Sequence, residues 1–161
     1  MWSAGQGADD RAWLRAILAL RGAMASHELD VKPEVCEVAR LIEWTGSCCA
    51  AEGLAADIAF KLTLAIEEAV ANVIGHAFEG LPPPHSITVR IAVSAGSVTA
   101  EIVDNGRPFD ATSVPDPDLS LALQDRDPGG LGIHLIHSMM DRVHYRRSNG
   151  NNILALEKAR R

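Results

Sequence analysis

Two pairs of alternating apolar runs, each closed by a turn containing glycine, constrain this chain more than any other feature. Ser86 to Ser94 and Ser97 to Val103 are separated by Ala95-Gly96, and Val143 to Arg147 and Ile153 to Glu157 are joined through Asn149-Gly150. Alternation at period two points one face of a strand at a core, and tight glycine turns close antiparallel hairpins. His27 to Val31 alternates in the same way and reads as one more half-buried strand.

The segments between the strands repeat at the helical period instead. Pro33 suits the first turn of a helix, where its missing N–H would go unpaired anyway; Val35, Val38, Ala39, Leu41 and Ile42 carry that helix towards Ala51, and Gly53 ends it. A second helix is expected over about Ala55 to Phe78, with Ile58, Leu62, Ala65, Ile66, Ala69 and Val73 as its apolar stripe, before Pro82-Pro83-Pro84 stops it. Gly132 to Met140 reads as a third helix. Strands segregated from helices in this order predict an α+β sandwich. Ahead of it, Asp9-Asp10 open a segment from Arg11 to Ala25 with Trp13, Leu14, Ile17, Leu18 and Leu20 at helical spacing. That helix could pack on the domain or on a second copy. The expected division is therefore an extension, 1–25, followed by one domain over 26–161.

The chain has 161 residues, 47% of them apolar and 22% charged, with a formal net charge of −6. That suffices for one core without metals or disulfides. No Lys/Arg run exceeds the pairs Arg146-Arg147 and Arg160-Arg161, so nucleic acid is not an expected partner. Neither a signal-peptide pattern nor a membrane-length apolar stretch is present, and Cys36, Cys48 and Cys49 form no CxxC pattern. A cytoplasmic protein with free thiols and no membrane partner is expected.

Three short segments carry the chemistry. Glu68 and Asn72 lie four apart on the second helix and so share one face, with His76 one turn further on. A carboxylate can accept a hydroxyl proton, while a neighbouring amide oxygen ligates a Mg²⁺ that already carries phosphate oxygens. Asp104-Asn105-Gly106 follows a strand directly; a strand-end Asp can accept the exocyclic amine of adenine, and a glycine lets the backbone approach the ring. Gly129-Gly130-Leu131-Gly132-Ile133 ends a loop and opens a helix, offering free N–H groups and a dipole to an anion. No Lys-Ser/Thr follows, so this is not a Walker loop. Taken singly, the segments also read as a solvated helix face, a plain turn and a glycine-rich helix entry. His76 either orients the site or packs, and His134 and His137 lack a placed third metal ligand.

In order, the three segments resemble the nucleotide-binding boxes of the ATPase superfamily shared by gyrase, histidine kinases and MutL. The wording Glu68-Ala-Val-Ala-Asn72-Val-Ile-Gly-His76, Asp104-Asn-Gly106-Arg-Pro-Phe-Asp110 and Gly129-Gly-Leu-Gly-Ile-His-Leu-Ile is most similar to the anti-sigma-factor serine/threonine kinases. Met140 to Tyr145 and Gly150 to Lys158 match as well, so the resemblance spans about Ser26 to Lys158. It implies the GHKL (Bergerat) ATP-binding fold, a mixed but mostly antiparallel sheet covered on one face by helices. It also implies ATP and Mg²⁺ as cofactors, with Glu68 as the catalytic base and Asn72 as the Mg²⁺ ligand. Asp104 and Gly106 would hold adenine, the backbone from Gly129 through Gly130, Leu131, Gly132 and Ile133 would hold phosphates, and residues from about Ala111 to Pro128 would form a lid. The implied acceptor is a Ser or Thr on a STAS-domain anti-sigma-factor antagonist. A sequestered sigma factor and a homodimer are further implied partners.

The chain departs from some relatives at Arg107-Pro108-Phe109, and a Thr contact near the last strand is replaced by Asn151 or Asn152. The extension has no assigned counterpart. A histidine-kinase catalytic domain would call for an upstream acceptor hairpin and has less need of Glu68, and a gyrase-like ATPase would call for a transducer domain. A non-catalytic, nucleotide-gated binding module is the alternative from another class.

Overall fold

A computed structural model of the chain describes residues 24–113 and 130–160. Five strands form one sheet: β1 (Ala25–Val31), β2 (Ile87–Val93), β3 (Ser97–Asp104), β4 (Arg142–Ser148) and β5 (Asn151–Ala159), in the order β1-β2-β3-β5-β4. Three α-helices accompany them among the described residues: α1 (Glu37–Ala51), α2 (Ala56–Asn72) and α3 (Gly130–Met139). This is the expected α+β sandwich. All four strand pairings are antiparallel, so the expected mixed sheet is antiparallel throughout the described strands.

The hairpins sit where their turns predict. Asn149 and Gly150 take φ of 51° and 81°, the paired positive values that match the twist of flanking strands. Counting outwards sets Ser148 opposite Asn151 and Arg147 opposite Asn152.

One core lies between the helices and one sheet face. α1 contributes Leu41, Cys48 and Cys49, and α2 contributes Ile58, Leu62, Ala65, Ile66, Ala69 and Val70; Ile87, Val89, Ile91, Val98, Ala100, Ile102 and Leu156 meet them from the sheet. Leu62 and Ile66 are fully buried, each worth about 1.5–3 kcal/mol against exposure. The three cysteines are free, and burial pushes the Cys49 thiol up to about 11.

Several boundaries differ from the sequence reading. The expected helix from Arg11 to Ala25 lies outside the described residues except at its end, where Ala25 already belongs to β1. α1 begins at Glu37 rather than at Pro33, because Glu37 and Val38 donate to Glu34 and Val35 in three-residue turns and the α pattern starts only after them. Gly53 ends α1 at φ 61° as expected. The long second helix stops being α at Asn72 and widens into a π turn over Val73–Ala77. Val73, expected in the stripe, is half-buried against the core, and Val70 takes the fully buried place. α3 starts two residues earlier than expected.

Candidate active site

β3 runs into the core side of the sheet and ends on Asp104, which is 4% exposed. Its Oδ1 accepts the Gly106 N–H at 2.8 Å and the Asn152 Nδ2–H at 2.9 Å. Asn152 stands directly across the β3–β5 ladder, so of the two asparagines left open it is the one that meets Asp104. Its Nδ2 also donates to Arg107 O at 2.8 Å, while its Oδ1 accepts Tyr145 OH at 2.7 Å and Arg147 Nη1 at 2.8 Å. Arg147 Nη1 donates to Gly106 O at 3.0 Å as well. Burial holds the Asp104 carboxyl above the ordinary carboxylate value, opposed by Asn152, the Gly106 N–H and the Arg147 charge. Among the described residues, both donors sit on Oδ1.

The turn after Asp104 docks on the end of the second helix. Arg107 N–H donates to Ala77 O at 2.8 Å, and a Cβ built on Gly106 would come within 2.5 Å of Ala77 Cβ and 2.7 Å of Ala77 O. Gly106 is thus required by the approach of the π turn, a constraint the sequence reading had assigned to a ligand ring alone. Single π turns inside helices recur at functional sites, and here the widened turn carries Ala77 to the turn after Asp104.

One turn earlier, the same helix meets α3. A Cβ on Gly132 would lie 2.7 Å from Glu68 Oε2 and 3.7 Å from Asn72 Nδ2. Glu68 and Asn72 are both half-buried, and the Asn72 Nδ2 atom is buried with no hydrogen-bond partner. The α2–π segment therefore joins all three motif segments, through Glu68 and Asn72 at Gly132 and through Ala77 at Gly106. Gly130 opens α3, Leu131 is exposed, and the Ile133 side chain is in the core, so only its backbone remains for an anion. Gly129 and residues 114–128 of the expected lid lie outside the described residues, whereas Ala111–Ser113 form a short 3-10 turn at the lid's start.

Other candidates are not drawn in. His76 is exposed on the π turn, without a hydrogen bond among the described residues. His137 Nε2 reaches Ala111 O at 3.4 Å, and no cluster of three or more His, Cys, Asp or Glu suited to a metal exists among the described residues. The donor set does fit a Mg²⁺ brought in by nucleotide phosphates, because an octahedral ion of that kind needs one or two protein oxygens and takes the rest from phosphate and water. Asn72 Oδ1 and the Glu68 carboxylate are the oxygens that would hold it, whereas the orphaned Asn72 Nδ2 is a donor and would meet a phosphate oxygen instead. Tyr145 and Arg147 were missed by the sequence reading, although the Asn149-Gly150 turn places Arg147 opposite Asn152 by counting alone.

With this geometry in view, the comparisons with known proteins are direct. The family model described as the histidine kinase-like ATPase domain matches residues 31–158. The chain belongs to this family, on its serine/threonine protein kinase branch. It is 35% identical over 103 residues to the serine/threonine-protein kinase BtrW of Bordetella bronchiseptica, a match covering 63% of this chain and 70% of BtrW. It is 28% identical over 120 residues to the serine-protein kinase RsbW of Listeria monocytogenes, covering 72% of this chain and 74% of RsbW. The solved structure of the RsbU and RsbW domains of a Mycobacterium tuberculosis protein shares the fold, with a TM-score of 0.61 at 14% identity over 86% of this chain and 33% of that one. The SiaB-SiaC complex of Pseudomonas aeruginosa gives 0.52 at 14% identity over 92% of this chain and 96% of its match. The resemblance drawn from the motifs, the Bergerat-type fold and the kinase class are borne out together.

Proposed function

We propose that this kinase transfers the γ-phosphoryl group of Mg·ATP to a Ser or Thr hydroxyl of a STAS-domain antagonist in a partner-switching system. The observation that carries this is the seat of Glu68 against Gly132: a carboxylate and an orphaned amide lie within van der Waals reach of the first turn of a glycine-opened helix. Anions bind at such helix starts, so an acceptor proton and a phosphate would meet side by side. Glu68 accepts the hydroxyl proton, a contribution of about 10²–10⁴-fold. Asn72 offers its oxygen to Mg²⁺ and its Nδ2–H to a phosphate oxygen. Asp104 Oδ2 receives the adenine amine, with Asn152, Tyr145 and Arg147 holding the carboxylate in place. A Mg²⁺ held by Asn72 Oδ1 would supply positive charge against the phosphate oxygens.

On this reading the protein is cytoplasmic and acts as a homodimer that holds a sigma factor or similar regulator until the unmodified antagonist captures it. That part rests on the motif resemblance and the named relatives. No helix among the described residues is long and apolar enough to cross a membrane.

The test is intact-mass analysis of STAS proteins from the same organism mixed with this protein and Mg·ATP. One STAS protein should gain a single phosphoryl group, and Glu68→Ala should retain ATP yet fail to add it. Retained nucleotide with no modified protein in the complete STAS set would favour a nucleotide-gated binding module instead.

A further inference from the structure

Asn152 is a buried amide, 5% exposed, and its protein partners use all of its hydrogen-bonding capacity. A side-chain amide offers two N–H donors and two lone pairs. Here Nδ2 donates to Asp104 Oδ1 at 2.9 Å and to Arg107 O at 2.8 Å, while Oδ1 accepts from Tyr145 OH at 2.7 Å and from Arg147 Nη1 at 2.8 Å. The partners themselves fix which way the amide points. A guanidinium donates and a carbonyl accepts, so Oδ1 has to face Arg147 and Nδ2 has to face Arg107 O. A side chain engaged at all four positions has nothing left to offer a nucleotide base. Asn152 stands where a direct contact was expected, yet it is committed to the protein.

Two of those partners come from β4, at the edge of the described sheet. Register sets Arg147 opposite Asn152, and Tyr145 opposite Leu154, so both side chains share the sheet face of Asn152 and Asp104. They converge on one oxygen, Tyr145 along the diagonal. Arg147 Nη1 also donates to Gly106 O at 3.0 Å, which ties the turn after β3 to the same strand. We infer that Tyr145 and Arg147 are specificity-determining positioning residues: they hold the Asn152 amide with its donors towards Asp104, and so fix Asp104 as the acceptor of the six-amino group of adenine. They act through Asn152 and not by contact with the base. The inference rests on the reading of Asp104 as the adenine contact, and adds the residues that decide how sharply that contact discriminates. Without the two β4 donors, the buried Oδ1 loses its partners, which favours rotamers that carry it out to water and draw Nδ2 away from Asp104. Of its two donors the carboxylate then keeps the Gly106 N–H, and it can rotate. The amine no longer meets a fixed acceptor.

The experiment compares ATP with purine riboside triphosphate, the same nucleotide without the six-amino group, in calorimetric titrations of the full chain with Mg²⁺. The parent should prefer ATP by about tenfold or more, the size of a hydrogen bond to a charged group. Tyr145→Phe and Arg147→Met should each lower that preference by about 2- to 10-fold, and the double variant should lower it further. Affinity for the analogue should stay within about threefold of the parent, less than the loss of one net hydrogen bond at its upper range. Phe keeps the ring of Tyr145, and Arg147 lies at the exposed edge, so both single variants are expected to fold. Arg147→Lys, which keeps a donor on the strand, should recover part of the preference. Equal losses for ATP and the analogue would overturn the inference, because general damage to the pocket weakens both. So would an unchanged preference in the double variant. A parent that binds the two nucleotides equally well would remove the adenine reading of Asp104 itself, and the inference with it.

Discussion

Among the described residues Asp104 accepts its two hydrogen bonds on one oxygen, and that asymmetry makes Asp104→Asn a sharp test. The variant keeps a carbonyl for the Gly106 and Asn152 donors but places an NH₂ where Oδ2 had been, opposing the adenine amine donor to donor. ATP affinity should fall by about 1–3 kcal/mol, roughly 5- to 150-fold, in a calorimetric titration. Stability should move the other way. The folded carboxyl lies above its ordinary value of 3.8, so its contribution to stability is full below that pH and is lost as pH rises through the raised value. In denaturant titrations the variant should match the parent at pH 3 and exceed it at pH 7. At this scale Glu68, Asn72 and Asp104 were legible because spacing on a helix and position at a strand end are local properties. Asn152 was narrowed only to a pair, since Asn151 and Asn152 point to opposite faces and the β3–β5 register decides between them.

Between elements, two glycines set the site and should respond differently to the same change. At Gly106 an added methyl meets the Ala77 backbone carbonyl and Cβ, neither of which can swing away. Gly106→Ala should therefore cost about 1–3 kcal/mol in a denaturation experiment, the usual range for overpacking. At Gly132 the nearest atom is the far end of the Glu68 side chain. Gly132→Ala should fold nearly as well as the parent while transfer drops, because the carboxylate yields its place; parallel measurement of thermal midpoint and phosphorylation rate separates the two. Equal stability losses in both variants would argue that Glu68 is packed as rigidly as the backbone. The α2–π–turn junction behind this pair was not legible in sequence. A continuous helix to Phe78 is what periodicity predicts, whereas the π turn appears where Ala77 meets a loop almost thirty positions later in the chain.

For the molecule as a whole, a ligand that bridges α2, the turn after β3 and the start of α3 should stabilise the entire fold. At 100 times its Kd, Mg·ATP adds about 2.7 kcal/mol, or roughly 5–10 °C in the thermal midpoint of a chain this size. Differential scanning fluorimetry should show that shift in the parent, a smaller one with EDTA present, and a clearly smaller one for Asp104→Asn at the same ATP concentration. An unshifted parent would mean that the three segments do not close on one ligand.

The sequence by itself determined the α+β class, both hairpins, the helix-borne carboxylate–amide pair and the family to which they belong. These follow from periodicity, turn chemistry and short motifs, whose physical content lies within a few residues. Tertiary structure alone decided which asparagine supports Asp104, why Gly106 must lack a side chain, what stands against Gly132, and where the second helix widens. Each of these depends on the distance between atoms far apart in the chain, and packing at close range, not local propensity, sets that distance.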